Sequence, residues 1–164
     1  MFPLKTLKLA EMLLADCKAQ GLRIATAESC TGGLVAACLC SIPGASSVFD
    51  RGFVTYSNES KRDLLGVPGD LMADVGSVSE PVSRMMAEGA VENSNAHLAV
   101  AITGIAGPGG GTRMKPVGLV HVAAARERKP IIHELYHFGD IGREEIRMEA
   151  VYAALEILHR HVQR

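Results

Sequence analysis

The stretch Ala27-Glu28-Ser29-Cys30-Thr31-Gly32-Gly33 is the first in this sequence whose residue types could do chemistry. It falls where a strand pattern gives way to a helix pattern. Backbone N–H groups at a helix start are unsatisfied and favour negative charge. A serine on such a turn can be an exposed nucleophile, and neighbouring N–H groups can stabilise an oxyanion. Gly32 and Gly33 would let backbone approach a substrate closely. A structural reading fits the same residues, with Ser29 or Thr31 simply capping the helix. Cys30 is a rival nucleophile if the helix start activates its thiol, and an inert packed thiol otherwise. Spacing alone leaves these alternatives open.

Three further segments carry reactive or binding groups. In Tyr56-Ser57-Asn58-Glu59-Ser60-Lys61, a lysine sits near a helix start, where the dipole opposes its charge. That placement could lower its pKa and make it a base, whereas pairing with Glu59 or Asp63 at the surface is the plain alternative. Thr103-Gly104-Ile105-Ala106-Gly107-Pro108-Gly109-Gly110-Gly111 follows a buried strand, so it emerges where ligands often bind. It lacks the Gly-Lys-Ser/Thr ending of a P-loop, and a strand rather than a helix follows it. Arg143 and Arg147 share a helix face at i, i+4 and suit a phosphate, or else pair with Glu144 or Glu149. The six histidines show no metal-ligand spacing, so no metal and no cofactor is expected. His159 and His161, close to the C-terminus, are expected in solvent.

The elements that must position these groups can be read from periodicity. Helices are expected over Leu4–Gln20, Thr31–Ser41, from Ser57 or Asn58 to Leu65, from a Ser79 cap onward, and over Gly142–His161. A short helical turn opens at Pro68. Strands are expected over Leu22–Ala27, Val48–Tyr56, His97–Thr103, Val117–Arg126 and Ile131–Phe138. The run 97–103 is continuously apolar, as a central strand is. Helices interleaved with strands, then three strands together, predict an α/β fold: a three-layer α/β/α sandwich around a mixed, mostly parallel sheet. Residues 1–164 are expected to form one domain.

Composition narrows the class. With 48% hydrophobic residues, disorder is excluded, and a formal charge of −1 gives no global case for nucleic-acid binding. No apolar run is long enough to span a bilayer, and the start of the chain lacks a signal-peptide pattern. A cytoplasmic protein is therefore expected. The four cysteines, Cys17, Cys30, Cys38 and Cys40, read as reduced thiols, the last two as small hydrophobes in a helix.

Taken together, these segments resemble the CinA C-terminal domain family. The matching pieces include Ala27–Gly33, Gly52-Phe53-Val54-Thr55-Tyr56-Ser57-Asn58-Glu59, Leu65-Gly66-Val67, Gly76-Ser77-Val78-Ser79-Glu80, Thr103–Gly111, Lys115-Pro116-Val117-Gly118 and the final arginine-bearing segment. They occur in family order over almost the whole chain. The family's stand-alone members are nicotinamide-nucleotide amidohydrolases, usually homo-oligomeric. The resemblance implies a Ser29-Lys61-Tyr56 constellation. Ser29 would attack the carboxamide of nicotinamide mononucleotide, Lys61 would act as base, and Tyr56 would position or shuttle the proton. Cys30, Thr31, Gly32, Gly33, Thr103, Gly104, Gly107, Gly109, Arg143 and Arg147 would bind the nucleotide.

Two departures bear on this. The family commonly has Gly-Asp-Arg before the last helix, whereas Ile141-Gly142 here separates Asp140 from Arg143. Longer members also carry a pyrophosphatase-like domain that is not expected within these residues, so dinucleotide pyrophosphatase activity is not implied. Two other functions stay open: a Ser-Lys hydrolase of a different amide or ester, and a non-catalytic competence-associated partner protein.

Overall fold

The computed structural model describes residues 1–164. In chain order the elements are α1 (Leu4–Gln20), β1 (Ile24–Glu28), α2 (Leu34–Cys40), a 3₁₀ turn (Ala45–Ser47), β2 (Phe49–Val54), α3 (Asn58–Leu65) and α4 (Gly69–Val75). They continue as α5 (Glu80–Glu92), β3 (Leu98–Gly104), β4 (Leu119–Arg126), β5 (Ile132–His137) and α6 (Arg143–Val162). The five strands form one sheet in the order β2-β1-β3-β4-β5. β1 pairs in parallel with β2 and β3, while β4 is antiparallel to both β3 and β5. Only β4 therefore runs against the common direction. Helices cover both faces, which makes the three-layer α/β/α sandwich expected from the sequence.

The two faces are built from different residues. β3 turns Leu98, Val100 and Ile102 toward the layer that contains α1, α2 and α6. Its alternate residues, Ala99 and Ala101, face the layer of α3, α4 and α5. Ala25 and Ala27 of β1 and Ala123 and Ala125 of β4 continue that small-residue face. Bulky aliphatics thus fill one interface, and alanines give α5 a close seat on the other.

α5 in turn brings α3 close. A Cβ on Gly89 would lie 2.0 Å from the Leu65 carbonyl oxygen. Ser57 caps α3, accepting from the Ser60 N–H at 3.1 Å, as the sequence suggested. The expected stripe of α6 is also present, with Ile146, Ala150, Ala153 and Ile157 all buried.

Several expectations need correction. β1 starts at Ile24 and β2 spans only Phe49–Val54. α2 starts at Leu34 rather than Thr31, because Gly32 and Gly33 adopt φ of 58° and 98°, outside helical geometry. β4 starts at Leu119 rather than Val117. Gly118 at φ 93° packs on the Gly139 backbone, where a Cβ would meet oxygen at 2.3 Å. Ser79 precedes α5, but its hydroxyl donates to the Gly76 carbonyl instead of capping the helix. His161 is buried, and burial pushes its pKa down to about 4, while His159 bonds Asp16 at 2.8 Å. Cys38 is buried but Cys40 is exposed, since a helix turns only one of the two toward the core.

The tightness at Gly89 gives a first prediction. Gly89→Ala must push α3 away from α5, at a cost of about 1–3 kcal/mol. For a chain of this size each kcal/mol lowers Tm by about 2–4 °C. Thermal denaturation should show a drop of several degrees. An unchanged Tm would show that the two helices are free to separate.

Candidate active site

β1, β2 and β3 end together. Glu28 stands beside Val54 on one side and Ile102 on the other. The chain continues from those ends as Ser29, as Thr55-Tyr56 and as Thr103-Gly104. Helix α2 lies on one face of the sheet and helices α3 to α5 on the other. The strand ends therefore open into a crevice at a point where the connections diverge.

A pocket of about 260 Å³ occupies this crevice. Ser29, Cys30, Tyr56, Lys61, Thr103, Gly104, Gly107, Gly109 and Arg143, all named from the sequence, line it. Gly110, from the glycine loop expected at a ligand site, also lines it, as do Ser77, Val78, Ile105 and Ala106, which were not singled out as site residues. Ser77 is brought there by the Thr103 hydroxyl, which donates to its carbonyl at 2.8 Å.

Lys61 is the central group. It is only 1% exposed, so the surface pairing with Glu59 or Asp63 does not form, and Asp63 pairs with Arg62 instead. The Lys61 Nζ lies 3.0 Å from the Thr55 carbonyl, 3.1 Å from the Tyr56 carbonyl and 3.0 Å from Ser29 Oγ. No carboxylate lies within ion-pairing reach of it. Burial lowers its pKa below the ordinary lysine value. In the neutral amine, two N–H groups serve the two carbonyls and the lone pair faces the serine hydroxyl. That is the geometry of a general base acting on a serine nucleophile.

Cys30 sits in a different environment. It is buried, and burial pushes its thiol up to about 11. It is therefore held as a thiol, which is a poor nucleophile. Its contribution to the site is the backbone N–H, which has no backbone acceptor and adjoins Ser29.

The remaining expected residues divide into two groups. Arg143 is at the pocket mouth, donating to the Gly107 carbonyl at 2.7 Å and to the Tyr56 hydroxyl at 3.2 Å. It reaches this place despite the Ile141-Gly142 departure. Thr31, Gly32, Gly33 and Arg147 are not brought into the pocket; they hold the turn that carries Ser29. The Arg147 Nε and Nη2 donate to the Cys30 and Thr31 carbonyls at 3.0 and 3.1 Å. The Thr31 hydroxyl donates to Glu28 at 2.7 Å. The Tyr56 carbonyl accepts from Lys61 at 3.1 Å, and its hydroxyl accepts from Arg143 at 3.2 Å.

Glu28 is the residue that sequence reading missed. Its buried carboxylate accepts from the Val35 N–H at 2.9 Å and the Ala36 N–H at 3.1 Å as well as from Thr31. The N-terminal N–H groups of α2 are thus taken by a protein carboxylate. They are not free for an oxyanion. Local capping patterns look for Asp, Asn, Ser or Thr at the helix start, so a glutamate seven residues upstream leaves no such signal.

Two of the six histidines, His121 of β4 and His133 of β5, meet outside the pocket lining. His121 Nδ1 and His133 Nε2 are 2.9 Å apart, and His133 lies 3.5 Å from Glu80. No group of three or more His, Cys, Asp or Glu is arranged to hold a metal ion.

The model of the CinA C-terminal domain matches residues 6–162. The chain belongs to the CinA C-terminal domain family. It is 48% identical over 92% of its length to a CinA-like protein of Anaeromyxobacter sp. (strain K). It is 45% identical over 94% of its length to a putative competence-damage inducible protein of Caldicellulosiruptor bescii. It spans 36% and 37% of the lengths of those two relatives. Among solved structures, the competence/damage inducible protein CihA from Agrobacterium tumefaciens superposes with a TM-score of 0.97 at 48% identity, covering 100% of this chain and 99% of that one. A CinA superfamily protein from Escherichia coli gives a TM-score of 0.87 at 32% identity, covering 98% of this chain and 94% of that one. This CinA domain therefore shares both its sequence family and its fold with solved relatives.

The Lys61 geometry fixes the sign of the pH dependence. The base form exists above the lowered lysine pKa, so kcat/KM should rise with pH through an inflection below the ordinary value of 10.5. Between that inflection and 10.5 the unfolded chain binds the proton that the folded protein has released, so this residue makes stability rise with pH there. Lys61→Arg should cost at least about 10²-fold in turnover at every pH, since guanidinium cannot act as a base. Ser29→Ala should abolish activity and Cys30→Ala should retain it. Activity in Ser29→Ala, or a flat pH profile in wild type, would refute the Ser-Lys assignment.

Proposed function

We propose that this protein hydrolyses the carboxamide of nicotinamide mononucleotide, giving nicotinate mononucleotide and ammonia. The observation that carries the hydrolytic part is the buried Lys61 amine 3.0 Å from Ser29 Oγ, with two N–H groups already bound to carbonyls. The choice of substrate is supported by the family resemblance and by the cation at the pocket mouth. Arg143 uses two N–H donors on Gly107 and Tyr56, which leaves the rest of its five for a substrate phosphate.

The chemistry follows from the donors in place. Ser29 Oγ adds to the carboxamide carbon while its proton moves to the Lys61 Nζ. The Cys30 N–H, which adjoins Ser29 and has no backbone acceptor, is the donor we assign to the oxyanion. The C–N bond then breaks, the Lys61 proton passes to the departing nitrogen, and ammonia leaves. Water attacks the resulting ester with Lys61 again as base, which releases the carboxylic acid and restores Ser29. Tyr56 takes a substrate-facing place at the mouth, where its hydroxyl proton is free to be donated because its oxygen accepts from Arg143.

A reaction in the cytoplasm agrees with the four free thiols and with the lack of any helix long and apolar enough to cross a membrane. Self-association into a homo-oligomer rests on the resemblance, and sedimentation of the purified protein tests it.

Ammonia release from nicotinamide mononucleotide by purified protein is the direct test. The riboside, which lacks the phosphate, should be a much poorer substrate. Arg143→Ala should weaken the mononucleotide about ten- to a hundredfold, the value of one charged contact, while changing the riboside little. Chelation should leave turnover unchanged, because Lys61 supplies the base. Equal efficiency on mononucleotide and riboside would remove the phosphate contact. No ammonia from either, with simple amides or esters hydrolysed, would point to a different substrate for the same dyad.

A further inference from the structure

The chain has 35 Lys, Arg, Asp and Glu residues (17 basic and 18 acidic), and only Glu28 and Lys61 among them are buried. Both touch Ser29, one through the peptide bond and the other through a hydrogen bond. A buried charge is costly unless something holds it. Lys61 is held by the Thr55 and Tyr56 carbonyls and Ser29 Oγ, and burial lowers its pKa. Glu28 has no cation within ion-pairing reach. Its carboxylate is held by three donors, Thr31 Oγ1, Val35 N and Ala36 N, at 2.7, 2.9 and 3.1 Å.

These bonds close the turn on which Ser29 sits. Upstream, the backbone is fixed by the sheet: the Ser29 N–H donates to the Ile102 carbonyl at 3.0 Å, and the Glu28 carbonyl accepts from the Thr55 N–H at 2.9 Å. Downstream, Gly32 and Gly33 at positive φ give the chain no preferred path back to the sheet. The Glu28 carboxylate reaches over this turn and fastens the start of α2. Its own carbonyl is bonded to Thr55, whose carbonyl holds Lys61. One residue thus joins the turn of the nucleophile to the cradle of the base.

We propose that Glu28 is the positioning residue for Ser29. By closing the 29–33 turn it aims Ser29 Oγ at the Lys61 amine and the Cys30 N–H into the pocket. The proposal rests on the reading of Ser29 as nucleophile but not on the identity of the amide. Glu28→Gln keeps the size of the side chain but replaces one acceptor with an NH₂ donor, which meets an N–H or O–H donor head-on.

The test uses a small uncharged fluorophosphonate, whose reaction with Ser29 does not require a nucleotide site, beside ammonia release from nicotinamide mononucleotide and thermal denaturation. A misplacement of about 1 Å can cost about 10²-fold, so Glu28→Gln should slow both labelling and kcat by about that factor with KM changed less than about twofold. Thr31→Val, which removes one of the three donors, should slow both about tenfold, and Thr31→Ser, which restores it, should label like wild type. A folded Glu28→Gln that labels and turns over within about threefold of wild type would overturn the proposal. If Glu28→Gln does not fold, the Thr31 pair decides: equal labelling of Thr31→Val and Thr31→Ser overturns it. Wild type that labels at Ser29 but releases no ammonia would refute the proposed substrate while leaving the labelling comparison intact. Wild type that does not label at Ser29 would overturn the positioning role together with the nucleophile.

Discussion

Burial disfavours the charged form of an amine unless an anion faces it. In this protein Lys61 finds no anion. It finds two main-chain carbonyls and one serine hydroxyl, and the functional design follows from that. The carbonyls belong to the two residues that follow β2, and the serine to the residue that follows β1. The contact therefore exists only while two neighbouring parallel strands stay in register and α3 stays seated against α5. Hydrogen bonding in the ladder, the alanine face and the close approach of α5 to α3 all serve that one separation.

The unequal faces of the sheet have a mechanical reading. Large aliphatics under α1, α2 and α6 make the thick, well-filled half of the core. The alanine side seats α5, and α3, which carries Lys61, packs in turn on α5. The close approach of Gly89 to the Leu65 carbonyl leaves no side chain between those two helices to absorb displacement, so backbone contact helps set where Lys61 lies. The nucleophile turn is fastened differently. Glu28 holds it from within β1, and Arg147 holds it from α6 through two carbonyls. Lys61 and Ser29 are thus located by separate supports that meet at one hydrogen bond.

The layer architecture and the order of elements were legible in the sequence because periodicity records which faces are buried. The buried run at β3, the Ser57 cap and the apolar stripe of α6 are local signals of this kind. Element ends were less legible where a long-range contact moved them. Gly118 starts β4 late because of the distant Gly139 backbone, and Glu28 takes the start of α2 from seven residues away. The pocket shows the same division. Ser29, Lys61 and Arg143 stood out by type and by position next to element boundaries, and the structure brings them together. Ser77 and Val78 belong to a segment that carries the resemblance but drew no site role, since the bond from the Thr103 hydroxyl to the Ser77 carbonyl that ties this segment to the pocket is a long-range contact. The fate of Arg147 was equally hidden: spacing puts it on the face of Arg143, but only the fold shows that its acceptors are peptide carbonyls.

The pairing of these two arginines on α6 has a metrological side. Arg143 marks the entrance of the pocket, and Arg147, one turn along the same rigid rod, marks the base of the turn that carries the nucleophile. A helical turn advances about 5.4 Å, and that interval hardly varies with temperature or loop movement. α6 thus acts as a graduated scale with two marks. The spacing of these two anchors is set by the pitch of a helix, and through Arg143 the glycine loop is pinned at Gly107 to one mark of that scale.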